Sequence, residues 1–102
     1  METITIEQLL SLTTPAIIDI RDTLSFQMGH IAGARNIPSR SLYHNPELFL
    51  SKNTPYYFYC SFGETSQRLC THLKELGYLA INVNGGYQSY LNYLKNIKTR
   101  EI

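Results

Sequence analysis

The residue with the clearest chemical potential is Cys60, which ends an aromatic run and begins a short polar loop. Residues 56–59 have the composition of a buried strand, and leucines at helical spacing follow the loop from Leu69 onward. The loop therefore joins the carboxyl end of a strand to the start of a helix. Unpaired N–H groups and the positive end of the helix dipole favour an anion at such a point.

This setting predicts that Cys60 is a thiolate and hence a nucleophile. Comparable surroundings lower the pKa of a cysteine from about 8.5 to roughly 3.5–7.5. Gly63 supports the prediction, because a loop that curls its amides around one sulfur needs a residue that tolerates positive φ. The alternative is an inert thiol at the end of a core strand, as many free cysteines are. The polar loop favours the nucleophile.

The rest of the candidate site is the loop itself. Its residues are Ser61, Phe62, Gly63, Glu64, Thr65 and Ser66. The second cysteine, Cys70, falls inside the following helix and is expected to pack against the sheet rather than pair with Cys60. No second Cys/His pair stands at metal-ligand spacing, so the sequence suggests neither a zinc site nor a disulfide framework.

Composition limits the classes of partner. The 102 residues predict one domain over 1–102, and nine Lys+Arg against eight Asp+Glu leave a formal charge of +1. The basic residues are scattered, which argues against nucleic acid or an anionic membrane as a partner. The start of the chain does not resemble a signal peptide, and no apolar run approaches the ~20 residues that span a bilayer. We therefore expect a cytoplasmic protein.

Short apolar segments alternate with helical patterns, which predicts an α/β fold with a parallel sheet covered by helices on both faces. The expected strands are residues 3–4, 16–20, a short segment stopped by Pro38, 56–59 and 78–83. The expected helices are residues 6–11, 22–28, a short helix after Asn45-Pro46, 67–76, and a last helix with Tyr87, Tyr90, Leu91 and Leu94 on one face. Thr5 and Gln8 have the spacing of a capping box, Asn45 is expected to cap the third helix, and Gly77 to end the fourth. Leu24 and Phe26 are expected to pack inward from the second helix. Residues 95–102 are expected to fray.

Three further polar residues are candidates for the site. Asp19 and Arg21 end a strand, where ligands of open α/β sheets gather, so they are either site residues or a structural ion pair. His30 is a candidate general base, although a hydrogen bond to loop backbone is the more ordinary role for such a residue.

With these segments in place, the chain resembles the single-domain rhodaneses, which are thiosulfate sulfurtransferase-like modules. Four motifs carry the resemblance, in the family's order. They are Asp19-Ile20-Arg21; Gly-His-Ile-Ala-Gly-Ala-Arg-Asn-Ile-Pro at 29–38; Cys60 with Gly63 and Ser66; and Gly85-Gly86 followed by Tyr90, where the family has tryptophan.

The resemblance implies a three-layer rhodanese-like fold with sheet order 3-2-4-5-1 and the Cys60 loop at its centre. It also implies that Cys60 accepts the outer sulfur of thiosulfate or a persulfide, and passes it to a thiol or to cyanide. A protein persulfide is a further candidate partner, and no metal or organic cofactor is implied. The loop residues would bind the substrate, and the candidates for supporting roles are Asp19, Arg21, His30 and Arg35.

The departures from the family pattern concern charge. Ser61 stands where many members have arginine, and Glu64 adds a carboxylate at the mouth of the loop. Both changes disfavour an anionic donor. Ser25 stands where the family often has an acid, which leaves the partner of Arg21 open.

Three functions compete at this stage. The first is a sulfurtransferase or persulfide carrier that prefers persulfides to thiosulfate. The second is a catalytically weak rhodanese-fold interaction or regulatory module, against which the retained Cys60, Gly63 and Ser66 argue. The third is phosphatase or arsenate-reductase chemistry; its protein-phosphatase form needs an arginine at the position of Ser66 to clamp phosphate.

Overall fold

The computed structural model describes residues 2–100, in which five strands and five helices follow one another with one 3₁₀ turn. In chain order the elements are β1 (Thr3–Ile4), α1 (Ile6–Leu10), β2 (Ala16–Asp19), α2 (Thr23–Met28), β3 (Arg35–Asn36), α3 (Ser39–His44), the 3₁₀ turn (Pro46–Leu48), β4 (Pro55–Tyr59), α4 (Glu64–Glu75), β5 (Leu79–Val83) and α5 (Gly86–Arg100).

The strands form one parallel sheet in the order β1-β5-β4-β2-β3, which is the predicted order read from the other edge. The central strand is β4, which pairs Phe58 with Ile18 of β2 on one side and with Asn82 of β5 on the other. Because Cys60 directly follows β4, its loop leaves the middle of the sheet at the carboxyl edge. The predicted fold class is confirmed.

Two apolar cores lie on opposite faces of the sheet, because successive strand residues point to opposite sides. Phe58 and Cys60 pack with Leu69 and Leu73 of α4 in one core. Tyr59 packs in the other core with residues of α1 and α5 and with Ile17 and Val83 of the neighbouring strands. Side chains of this size each stabilise the fold by about 1.5–3 kcal/mol when fully buried, so both layers hold the sheet in place.

Helix α1 has the capping box that its sequence predicts. The Gln8 amide donates to Thr5 Oγ1 at 3.1 Å, and the Thr5 amide donates to Gln8 Oε1 at 3.0 Å. The two bonds satisfy N–H groups that have no partner inside the helix.

Helix α3 is absent from the sequence-based prediction. It buries only Leu42, so its six residues carry too little apolar periodicity to indicate a helix. Asn45, which we expected to cap the next helix, makes no capping bond with its side chain, and only a 3₁₀ turn follows it.

The apolar faces of two helices differ from expectation. Leu24 of α2 was expected to be packed but is 64% exposed. In α5, Tyr87 and Tyr90 pack on the core as expected, and Tyr93 packs beside them. Leu91 and Leu94, which were expected on the same face, are exposed. The tyrosines bury larger rings, which decides how the helix is rotated against the sheet.

Helix α5 continues through residues 95–100, where we expected fraying. Thr99 Oγ1 donates to the Lys95 carbonyl at 3.0 Å, and Ile97 is partly buried. Residues 101 and 102 of the expected tail lie outside the described residues. Within residues 2–100, no helix has the length and apolar character needed to cross a bilayer.

Candidate active site

The sulfur of Cys60 lies in a cradle of hydrogen-bond donors from the loop that follows β4. The amides of Gly63 and Ser66 donate to Sγ at 3.1 and 3.3 Å, and Ser66 Oγ lies 3.3 Å from the same atom. The amides of Gly63 and Ser66 therefore hold the sulfur at hydrogen-bond distance, and the Phe62 amide adds to the stabilisation of its thiolate.

Gly63 makes this curvature possible. Its φ of 105° lies in the left-handed region, where a side chain would add strain, and it is the residue immediately before α4. Helix α4 consequently begins at Glu64, three residues earlier than predicted, and Ser66 lies in its first turn. The sulfur thus lies at the amino end of a twelve-residue helix, where the dipole favours negative charge.

Two carbonyl groups at the start of the loop are bound by α5. The amide of Tyr87 donates to the Cys60 carbonyl at 2.9 Å, and the amide of Gln88 donates to the Ser61 carbonyl at 3.0 Å. A Cβ atom on Gly86 would overlap the backbone of Cys60 and Ser61, so only glycine allows this approach. The Gly85-Gly86 motif therefore joins the last helix to the loop.

Opposing effects act on the pKa of Cys60. Burial raises it, whereas the Ser66 hydroxyl and the amides of Ser66, Gly63 and Phe62 stabilise the thiolate and lower it. The hydrogen bonds outweigh burial, and the pKa is lowered from that of an ordinary thiol.

We expect the rate of Cys60 alkylation by iodoacetamide to rise with pH, with a midpoint clearly below the pKa of a free thiol, which is about 8.5. Iodoacetamide reacts with the thiolate, so the midpoint reports the pKa, and peptide mapping distinguishes Cys60 from Cys70. A midpoint at or above that of a free thiol would mean that the amides do not stabilise the sulfur.

Cys70 has the opposite surroundings. It is fully buried on the core-facing side of α4, and burial, followed by the negative charge of Cys60, raises its pKa to about 12. The expected packing against the sheet is confirmed. A thiol in this position remains protonated near neutral pH and is a poor nucleophile.

Asp19 and Arg21 form the ion pair that was one of the two alternatives. Arg21 Nη2 lies 2.7 Å from Asp19 Oδ2 and donates to the Gly29 carbonyl at 2.6 Å, and the guanidinium lies over the ring of Tyr87 at 4.2 Å. Burial lowers the pKa of Arg21, but the Asp19 carboxylate outweighs it, and the pKa is raised. The partner of Arg21 is thus Asp19, and Ser25 is not needed for this role.

His30 and Arg35 do not reach the sulfur. The Nδ1 atom of His30 lies 2.8 Å from the Phe26 carbonyl, and its ring stacks on Phe26 with centroids 3.8 Å apart. Arg35 is exposed on the edge strand β3. Neither residue lines the cleft beside Cys60. The expected backbone hydrogen bond of His30 is present, and a role as general base finds no support in its position.

An open cleft of about 430 Å³ gives access to Cys60. The predicted residues that line it are Arg21, Cys60, Ser61, Phe62, Glu64 and Thr65. Gly63 and Ser66 are buried behind the sulfur instead. Phe62 is 69% exposed at the rim, so its ring is available to a bound molecule.

Several residues of this site were not predicted from the sequence; Asp22 lines the cleft after β2, and two others are of particular interest. Arg68 lines the cleft from the second turn of α4, four residues after Glu64, and this helical spacing was the available signal. Asn82 contacts Ser66 and Gly63 from β5 and is the one amide within an apolar strand. Among residues 2–100, no group of three or more His, Cys, Asp or Glu is placed to hold a metal ion.

The class of this protein is defined by two features: a parallel β-sheet covered by helices, and a cysteine at the carboxyl end of the central strand whose sulfur accepts hydrogen bonds from loop amides. The profile of the rhodanese-like domain matches residues 5–93. The chain therefore belongs to the rhodanese-like domain family.

Known relatives agree with this assignment. The thiosulfate sulfurtransferase GlpE of Tolumonas auensis is 31% identical over 83 residues, or 80% of this chain and 77% of the relative. The adenylyltransferase and sulfurtransferase uba4 of Ogataea parapolymorpha is 35% identical over 86 residues, but this chain spans only 22% of its length. A rhodanese-related protein from Thermoplasma volcanium superposes with a TM-score of 0.84 at 26% identity, covering 91% of this chain and 93% of that one. These likenesses support a sulfurtransferase-type function.

Proposed function

We propose that the protein is a cytoplasmic sulfurtransferase that carries a sulfane sulfur on Cys60 as a persulfide. The observation that carries this proposal is the pair of loop amides that donate to Sγ, with the Ser66 hydroxyl 3.3 Å from the same atom, in a cleft open to small molecules. A cradle of this kind stabilises a sulfur anion both before and after sulfur transfer. The proposed chemistry requires no metal ion and no organic cofactor.

The transfer consists of two displacements. In the first, the Cys60 thiolate attacks the outer sulfur of the donor, an S–S bond forms, and sulfite or a thiolate leaves with the electron pair of the broken bond. In the second, an acceptor thiolate or cyanide attacks the outer sulfur of the persulfide, and the Cys60 thiolate leaves. The Gly63 and Ser66 amides support the charge in both steps.

The charges around the cleft support a proposal about the preferred donor. Asp22 and Glu64 line it as carboxylates, and the charge of Arg21 is already paired with Asp19. Arg68 offsets only part of this negative charge. We therefore propose that persulfides of small thiols or of proteins react better than the doubly charged thiosulfate.

Intact mass after incubation with a persulfide or with thiosulfate tests the proposal. We expect the chain to gain one sulfur atom, and peptide mapping to place it on Cys60 and not on the buried Cys70. Reaction with cyanide or a thiol should then restore the original mass. Unchanged mass with every donor would favour the interaction module, for which the exposed Phe62 provides a contact.

A further inference from the structure

Asn82 is a buried polar residue in β5 that contacts the cysteine loop from behind. It is 3% exposed, and its neighbours Ile81 and Val83 are apolar. Its Oδ1 accepts a hydrogen bond from Ser66 Oγ at 2.5 Å, and its Nδ2 donates to the Gly63 carbonyl at 3.3 Å. Both partners of the amide belong to the cradle of Cys60.

The orientation of the amide follows from these partners. The Gly63 carbonyl can only accept, so the nitrogen of Asn82 must face it and the oxygen must face Ser66. The reversed amide would place two acceptors opposite each other in a buried site. Asn82 is therefore held as an acceptor for the Ser66 hydroxyl.

The Ser66 hydroxyl has one proton and three acceptors within reach. These are Asn82 Oδ1 at 2.5 Å, the Gly63 carbonyl at 3.2 Å and Cys60 Sγ at 3.3 Å. The shortest contact assigns the proton to Asn82. Ser66 then presents a lone pair to the sulfur, which suits a thiol that donates and not a thiolate that accepts.

We propose that Asn82 is a positioning residue that controls Cys60 through Ser66. It accepts the Ser66 proton while Cys60 is a thiol, and the hydroxyl turns to the sulfur when Cys60 is ionised or carries a persulfide. Asn82 thus restrains the reactivity of the resting thiol. Only the persulfide state rests on the proposed function; the ionisation of the thiol does not.

Other charged and titratable groups face Cys60 from the elements around it. Arg21 and Asp22 follow β2, while Glu64, Arg68 and Cys70 belong to α4. A substitution at Asn82 leaves all five in place. A change in the pKa of Cys60 on replacing Asn82 therefore reports on the hydrogen bonds behind the loop.

The test is the pH dependence of Cys60 alkylation in an Asn82→Leu variant. Leucine fills a similar volume without accepting a proton, so the hydroxyl becomes free for the thiolate, and we expect the pKa of Cys60 to fall by about one unit. The Gly63 carbonyl keeps its bond from the Gln67 amide at 3.1 Å, so the loop remains anchored. An Asn82→Asp variant keeps the acceptor and adds charge, and should raise the pKa.

A double substitution separates this role from a structural one. In a Ser66→Ala background, Asn82→Leu should leave the pKa of Cys60 unchanged, because no hydroxyl remains to be released. An equal fall in both backgrounds, or no fall in the single variant, would overturn the proposal. Thermal unfolding of each variant shows whether the pKa values are compared between folded proteins. If the Asn82→Leu variant does not fold, Asn82→Ala takes its place. The measurement uses no sulfur donor, so its result does not depend on whether Cys60 accepts sulfur.

Discussion

A Cys60→Ser variant is expected to lose sulfur transfer completely while the protein stays folded. A serine hydroxyl ionises far above neutral pH and is much less nucleophilic than a thiolate. Its side chain has the same shape as that of cysteine, and its smaller oxygen can still accept from the amides of Gly63 and Ser66. We therefore expect the free energy of unfolding to change by only about 1 kcal/mol.

Sulfite release from thiosulfate and thiocyanate formation from cyanide measure the activity of this variant. The matched control is Cys70→Ser, which makes the same change at the other cysteine, in the core beneath the loop. The sulfur-transfer activity of this control, measured per mole of folded protein, should be unchanged, even if the variant unfolds at a lower temperature. Turnover near the native level in the Cys60→Ser variant would place the nucleophile elsewhere.

Changes at Glu64 are expected to give the second largest effect, here a gain. Two unit charges ~6 Å apart repel by roughly 0.7 kcal/mol in water and about 3 kcal/mol at an effective dielectric constant of 20. Glu64→Gln removes this repulsion, and Glu64→Arg replaces it with attraction. The second-order rate with thiosulfate should therefore rise in that order, by roughly tenfold or more for the arginine variant.

Three controls identify a charge effect. Added salt should reduce the gain, since exposed charges are screened over about 8–10 Å. A less charged persulfide donor should respond much less. Glu75→Gln makes the same substitution at the far end of α4 and should leave the rate unchanged. Equal rates for native protein and both Glu64 variants at low salt would refute the explanation of donor preference.

The central part of the fold could be predicted because local signals and sheet position agree there. An aromatic strand that ends in a cysteine, a loop with Gly63 and leucines at helical spacing together define a strand-loop-helix unit. The resemblance to rhodaneses then supplied the strand order. The capping box of Thr5 and the end of α4 before Gly77 could also be predicted, because each depends on a few consecutive residues.

The features that sequence analysis missed depend on contacts between distant segments. The role of Asn82 arises only when β5 pairs with β4 and brings residues 63, 66 and 82 together. The rotation of α5 is decided by which side chains fill the space above Tyr59, which places Tyr93 inward and Leu91 outward. No local pattern around Leu42 distinguishes α3 from a loop.

The contact between α5 and the cysteine loop has a consequence for the order of events during synthesis. The amides that hold the loop carbonyls belong to residues 87 and 88, which leave the ribosome after Cys60 and after every strand of the sheet. Until they bind, the carbonyls of Cys60 and Ser61 lack these two hydrogen bonds, and the loop amides are not held around the sulfur. We therefore expect Cys60 of a nascent chain to react as an ordinary cysteine until the last helix has docked.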